Sequence, residues 1–217
     1  FGSKLDFNLN YIEGIANVKI EDINFAKKLG YKIKLISETS IIKNEILNFT
    51  SPKLISFDNP LSNVGDALNA INIATDHLDN LFLEGQGAGG KATASSVLSD
   101  IFEISQSNNF NNLGFGTNYF KDYQKYNNEN IVSSYYLRIM TEDKPGVLAS
   151  ITNNFNESDI SVEKILQLPE DINKNSPIPI IITTHKIRKE ILIKVISKIE
   201  KHSFVKENIT VLAIHDN

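Results

Sequence analysis

A chain of 217 residues, 41% hydrophobic and 22% charged, is long enough for two modest domains with ordinary cores. A net charge of -4 and a pI near 5.6, with no Lys/Arg cluster and no basic stripe interleaved with aromatics, argue against a nucleic-acid surface. The absence of cysteine excludes a disulfide framework, a thiolate nucleophile and a cysteine zinc site, and no apolar run of about 18 residues is present to span a membrane.

The expected compartment is therefore the cytoplasm. His77, His185, His202 and His215 lie far apart without metal-ligand spacing, so no metal site is assigned. The chain opens at Phe1-Gly2-Ser3, and Met140 is its one methionine, which reads as a piece of something longer.

Along the chain, Glu21-Asp22 open a helix whose Ile23, Ala26 and Leu29 share a face, closed by Gly30. Tyr31 to Ser37 reads as a strand, Lys43-Asn44 as a turn and Glu45 to Phe49 as the return. Val64 to Thr75 is strand-like, Asp76 to Asn80 a polar turn, and Leu81 to Glu84 the paired strand. Hairpin spacing of this kind predicts a mostly antiparallel sheet covered by helices.

Next comes Gly85-Gln86-Gly87-Ala88-Gly89-Gly90-Lys91, followed by a helix from Ser95 to Gln106 with Val97, Leu98, Ile101 and Ile104 on one stripe. Glycines entering a helix expose backbone that a phosphate or carboxylate can approach. Gly85, Gly87 and Gly90 satisfy the G-x-G-x-x-G spacing of a dinucleotide fold, but no parallel strand with a terminal acid follows. The loop reads equally as a tight strand-to-helix turn. Glu84 and Lys91 beside it read as solvated or salt-bridged surface residues.

Residues 107–132 are rich in Asn and Gly and read as a linker whose aromatics pack on a neighbour. The remainder, 133–217, runs β-α-β-β-α-β, the order of a ferredoxin-like sandwich: strands at Ser134–Thr141, Ile160–Leu168, Pro177–His185 and Ile209–His215, helices at Gly146–Asn156 and Lys189–Lys201. The fold class is α/β of the α+β type.

Two resemblances add to this reading. Thr141-Glu142-Asp143-Lys144-Pro145-Gly146-Val147-Leu148, after Tyr136-Leu137-Arg138-Ile139 and before Ser161-Val162-Glu163-Lys164-Ile165-Leu166-Gln167, resembles the ACT domain, a small regulatory amino-acid-binding module. The resemblance implies an effector at Asp143, Lys144, Gly146, Val147 and Leu148, threonine being the most plausible, with Asn153 and Asn154 near enough to add polar contacts. A turn opening a helix suits an amino acid's carboxylate.

Residues 1–106 resemble the C-terminal part of the homoserine dehydrogenase catalytic domain. The matching stretches are Tyr11-Ile12-Glu13-Gly14-Ile15, Ile20-Glu21-Asp22-Ile23, Leu29-Gly30-Tyr31-Lys32-Ile33-Lys34-Leu35, Asn59-Pro60-Leu61 and Glu84 to Gly90 with Thr93 to Asp100. That family implies NAD- or NADP-dependent interconversion of aspartate semialdehyde and homoserine, toward threonine, methionine and isoleucine. It also implies that Gly85, Gly87, Ala88 and Gly89 approach the cofactor through their backbone, with Gln86 where the family often has proline or arginine. The family's Rossmann domain and catalytic lysine lie upstream of the matched stretches. Lys28 is not that lysine, because the Glu-Gly-Ile segment precedes it here, so no catalytic residue is assigned and the chain alone is expected to be inactive. Open sheet edges point to a homo-oligomer. The alternative is a non-catalytic amino-acid-binding regulatory or assembly module.

Overall fold

A computed structural model describes residues 10–77, 79–106, 120–167 and 177–215. In chain order these form β1 (Asn10–Ile12), α1 (Ile20–Lys28), β2 (Tyr31–Ile42) and β3 (Glu45–Ser56), then β4 (Leu68–Thr75), β5 (Asp79–Gln86) and α2 (Gly90–Gln106). There follow β6 (Gln124–Lys125), β7 (Val132–Thr141), α3 (Val147–Asn156) and β8 (Val162–Leu166). The last elements are β9 (Ile178–Thr184), β10 (Ile187–Arg188), α4 (Lys189–Ile199) and β11 (Thr210–Ile214). The described residues fall into two compact units, the smaller from residue 57 to 122 and the larger made of residues up to 56 together with those from 123 on.

In the larger unit the four strands of the βαββαβ segment lie in the order β11-β7-β9-β8, with antiparallel neighbours, which is the ferredoxin-like arrangement. The sheet does not stop at β11. Ala213 and Ile214 pair in parallel with Lys53 and Leu54 of β3, and β2 pairs antiparallel with β3 along its whole length. The edge of β3 away from β2 is shared by β6, β1 and β11 at Glu45–Ile46, Asn48–Thr50 and Lys53–Leu54. Pro52, which has no N–H to donate, falls in the gap between the β1 and β11 pairings.

Period-two alternation then builds two cores on one sheet. On one face Leu137, Ile139, Ile180 and Ile182 pack with Ile151 and Phe155 of α3 and Leu192, Val195 and Ile199 of α4. On the other, Tyr136, Ile181, Leu212 and Leu54 pack with Phe25 and Ala26 of α1. Helix α1 is capped where the Lys19 N–H donates to the Asp22 carboxylate at 2.9 Å, and it ends at Gly30, whose φ of +91° suits glycine.

Several expectations shift. The buried face of α1 is Asp22, Phe25 and Ala26, and Ile23 is exposed, because Asp22 is drawn inward by charged partners described below. The hairpin runs through Ile42 and back to Ser56, turning at Lys43 in the left-handed region. The expected linker contributes β6 to the sheet, while its residues 107–119 lie outside the described ones. By packing, α1 and the β2–β3 hairpin lie in the same compact unit as the ferredoxin-like segment.

The smaller unit contains the β4–β5 hairpin, in register from Leu68↔Gln86 to Thr75↔Asp79, and α2. A short 3-10 turn at Pro60–Asn63 is capped by Asn59, whose side-chain oxygen accepts from the Leu61 N–H at 3.0 Å. Helix α2 starts at Gly90, five residues before the expected Ser95, and none of its residues is buried. Its stripe of Val97, Leu98, Ile101 and Ile104 is exposed.

Candidate functional site

The glycine loop is placed where the sequence puts it, between a strand and a helix, but its donors differ from expectation. Gly85 pairs with Asn69 inside the β4–β5 ladder, and the Gly87 N–H donates to the Ala67 carbonyl at 2.8 Å. Intrahelical bonding begins with the Thr93 N–H on the Gly89 carbonyl at 3.0 Å. The N–H groups of Gly90, Lys91 and Ala92 therefore have no acceptor within their own helix. Gly89 takes the left-handed conformation, φ +116°, at the helix start. Gly87 does not; its requirement is space, because a Cβ there would lie 1.9 Å from Asn69 Nδ2. What the glycines supply is a bare surface leading to a helix N-terminus, with Gly85 to Gly90 all exposed.

A second candidate lies at the end of β7. Gly146, at φ +89°, caps α3, whose first internal bond runs from the Ser150 N–H to the Gly146 carbonyl at 2.9 Å. The Val147 N–H is taken by the Lys144 carbonyl at 3.3 Å, so Leu148 and Ala149 present the donors without an intrahelical acceptor. Asp143, Lys144 and Gly146 are exposed, Val147 is buried and Leu148 is half-buried. Asn154 is engaged within the fold, donating to the Ser150 carbonyl at 2.8 Å.

The acid that carries the local electrostatics is Glu142. Its carboxylate bonds Lys144 Nζ at 2.6 Å and also Lys206 Nζ. Hydrogen bonds from Lys144 and then Lys206 hold its pKa down at about 2. Lys206 is 64 positions away in sequence, so nothing local marked Glu142 over its neighbour Asp143. Thr141 Oγ1, just before the turn, is buried without a hydrogen-bond partner, a condition that costs about 1–3 kcal/mol when no ligand or water satisfies it.

A third cluster joins two of the matching stretches, Ile20 to Ile23 and Tyr136 to Ile139, neither of which marked it as a site. Asp22 of α1, fully buried, accepts from Arg138 Nε at 2.7 Å and Nη2 at 3.3 Å and from Tyr136 Oη at 2.9 Å. Arg138 also donates to Thr210 Oγ1 at 2.7 Å. Burial, and then the charge of Asp22, push the Tyr136 phenol well above its usual range. Burial alone would lower the Arg138 pKa, and the hydrogen bond and charge of Asp22, joined by Tyr136 and Glu207, together more than reverse it. The cluster is a structural ion pair joining α1 to β7. Among the described residues no group of three His, Asp or Glu side chains is placed to hold a metal, and no helix is long and apolar enough to cross a membrane.

The architecture is thus α+β, a mostly antiparallel sheet with helices that ends in a ferredoxin-like βαββαβ segment. Residues 1–102 match the family model described as homoserine dehydrogenase. A homoserine dehydrogenase of Pseudomonas aeruginosa is 31% identical over 92% of this chain and 47% of its own length. One of Neisseria gonorrhoeae is 30% identical over 100% of this chain and 51% of its own. The crystal structure of a homoserine dehydrogenase from Thiobacillus denitrificans, 29% identical, superposes with a TM-score of 0.84 over 100% of this chain and 50% of that one. The chain belongs to the homoserine dehydrogenase family as its C-terminal part, and it spans about half the length of the relatives it matches.

Proposed function

We propose that this chain is the C-terminal portion of an NAD- or NADP-dependent enzyme that interconverts aspartate semialdehyde and homoserine in the cytoplasm, and that it carries an amino-acid-sensing ACT domain. The observation that carries the reading is the glycine loop between β5 and α2, inside the stretch matched by the family model. In this reading residues 1–106 serve catalysis, 107–132 connect and 133–217 regulate. Gly85, Gly87, Ala88 and Gly89 form the face toward the cofactor, with Gly87 contributing absence of bulk and the first turn of α2 contributing donors. Threonine binds at the turn of Asp143, Lys144, Gly146, Val147 and Leu148, where the N–H groups of Leu148 and Ala149, without an intrahelical acceptor, meet its carboxylate. Feedback would then be a coupling of about 1–3 kcal/mol between the two sites in a homo-oligomer.

The test is made on the full-length protein with homoserine and each nicotinamide cofactor, where turnover on the order of 1 per second or faster is expected. Gly87→Val, whose side chain would meet Asn69, is expected to raise KM for the cofactor and lower kcat while the circular dichroism spectrum stays unchanged. Wild-type kinetics in a folded Gly87→Val enzyme would take the loop out of the site. Threonine binding without any turnover would favour the sensor reading.

A further inference from the structure

The larger unit holds a half-open cavity of about 330 Å³ that neither the glycine loop nor the turn before α3 uses. Its origin is the extension of the sheet. Helix α4 packs on β7 and β11, and the lining runs from α4 and β11 to Phe49 and Lys53 of β3 and Tyr11 of β1. Leu192 and Ile196 of α4 form one wall, Val211 and Ala213 of β11 the floor, and Phe49 and Lys53 of β3 the far side. The small Ala213, opposite both Lys53 and Tyr135, leaves the space open. Its volume is at the lower end of the roughly 300–1,000 Å³ typical of small-molecule sites.

Its charges are of both signs. Glu13 and Lys189 both line it and pair with each other, Nζ to Oε1 at 2.9 Å. Lys53, buried, lies 4.2 Å above the Phe49 ring and 3.2 Å from Glu38. Lys189 is the first residue of α4 and follows Arg188, so two cations sit at the positive end of a helix, where the dipole disfavours them. Glu190 answers the dipole but is paired with Lys194 on the exposed side. Helix stability therefore gives no reason for Lys189; its ion pair with Glu13 does, and that pair sets a cation and an anion side by side at the cavity. A simple anion would strand Glu13, whereas a zwitterion satisfies both groups.

We propose that this cavity binds a free α-amino acid with a short aliphatic side chain. Its carboxylate takes Lys189, its ammonium takes Glu13, and its side chain lies on Leu192, Ile196, Val211 and Ala213. The site is separate from the turn of Asp143 to Leu148. Ser133 and Tyr135, at the start of β7, line the cavity, and the turn follows Thr141 at the other end of the strand. Val211, which also lines the cavity, stands opposite Leu137, and four residues at roughly 3.3 Å each place it about 13 Å from Thr141 along the strand. The proposal does not depend on dehydrogenase activity.

Isothermal titration of the full chain with L-valine and L-leucine tests it, since heat of binding is read whether or not the enzyme turns over. Saturable binding at millimolar concentration or tighter is expected, with isocaproate, which lacks the ammonium, at least tenfold weaker. Lys189→Met should weaken binding at least tenfold, and Ala213→Phe should abolish it by filling the floor. Ser197→Trp, on the exposed rim, is the blocking variant should Ala213→Phe not fold. Asp143→Ala should bind as wild type. Absence of binding by either amino acid overturns the proposal, as does binding that survives both Lys189→Met and the blocking variant. Loss in Asp143→Ala with retention in Ser197→Trp would place the ligand at the turn instead.

Discussion

The two units use apolar residues in opposite ways. In the larger, Phe155 is 1% exposed and sits among α3, α4 and the sheet; in the smaller, Phe102 of α2 is 65% exposed, as are the residues that share its stripe. Both helices carry the spacing of an amphipathic element. One has the surface it is patterned for, and the other carries a pattern for packing it does not make among the described residues. Periodicity therefore reports what a segment is suited to bury, and burial itself needs a second surface.

Matched deletions sharpen that contrast. Phe155→Ala is expected to cost about 3–5 kcal/mol in urea unfolding of the larger unit, while Phe102→Ala should stay within about 0.5 kcal/mol. Similar losses at the two positions would break the comparison. Asp22→Ala removes the nearer carboxylate from the buried Arg138 guanidinium, leaving it the more exposed Glu207 at 3.7 Å, and should cost about 3 kcal/mol, whereas Asp22→Leu combined with Arg138→Met should recover most of the loss. If the double variant is no better than the single one, the cluster holds α1 by more than charge compensation.

Smaller effects are expected at the turns. Gly89→Ala, forced to φ +116°, should destabilise the start of α2 by roughly 1–3 kcal/mol and speed amide exchange in its first turn without altering exchange in β7. The smallest effect belongs to Glu142. Its carboxyl has an ordinary pKa of 4.5 and one of about 2 in the folded chain, so its stabilisation is present above about pH 4.5 and is lost as pH falls towards 2. Glu142→Gln should flatten that part of the acid-unfolding profile; an unchanged profile would remove Glu142 as its source.

Local signals were legible in the sequence and remote ones were not. Lys43-Asn44 marked the β2–β3 turn, and the order of strands and helices from residue 133 on marked the ferredoxin-like sheet, because both depend on neighbours in sequence. The pairing of β3 with β11 joins residues about 160 positions apart, and Asp22 meets Arg138 across 116. No periodicity encodes such contacts, which is why Ile23 was read as the inward residue of α1 and Asp22 was not. At the glycine loop the placement between a strand and a helix was legible and the conformational demand on each glycine was not. Gly87 is required for space beside Asn69, and the left-handed position is Gly89.

The shared edge of β3 bears on how such chains can be recombined. A module cut out at residue 133 would carry β11 with its outer edge bare and Tyr136, Ile181 and Leu212 stripped of α1. Bare edges and apolar faces of that kind template association between copies. Grafting the βαββαβ segment onto another protein would therefore require transplanting α1 and the β2–β3 hairpin with it, so the portable unit is discontinuous in the gene.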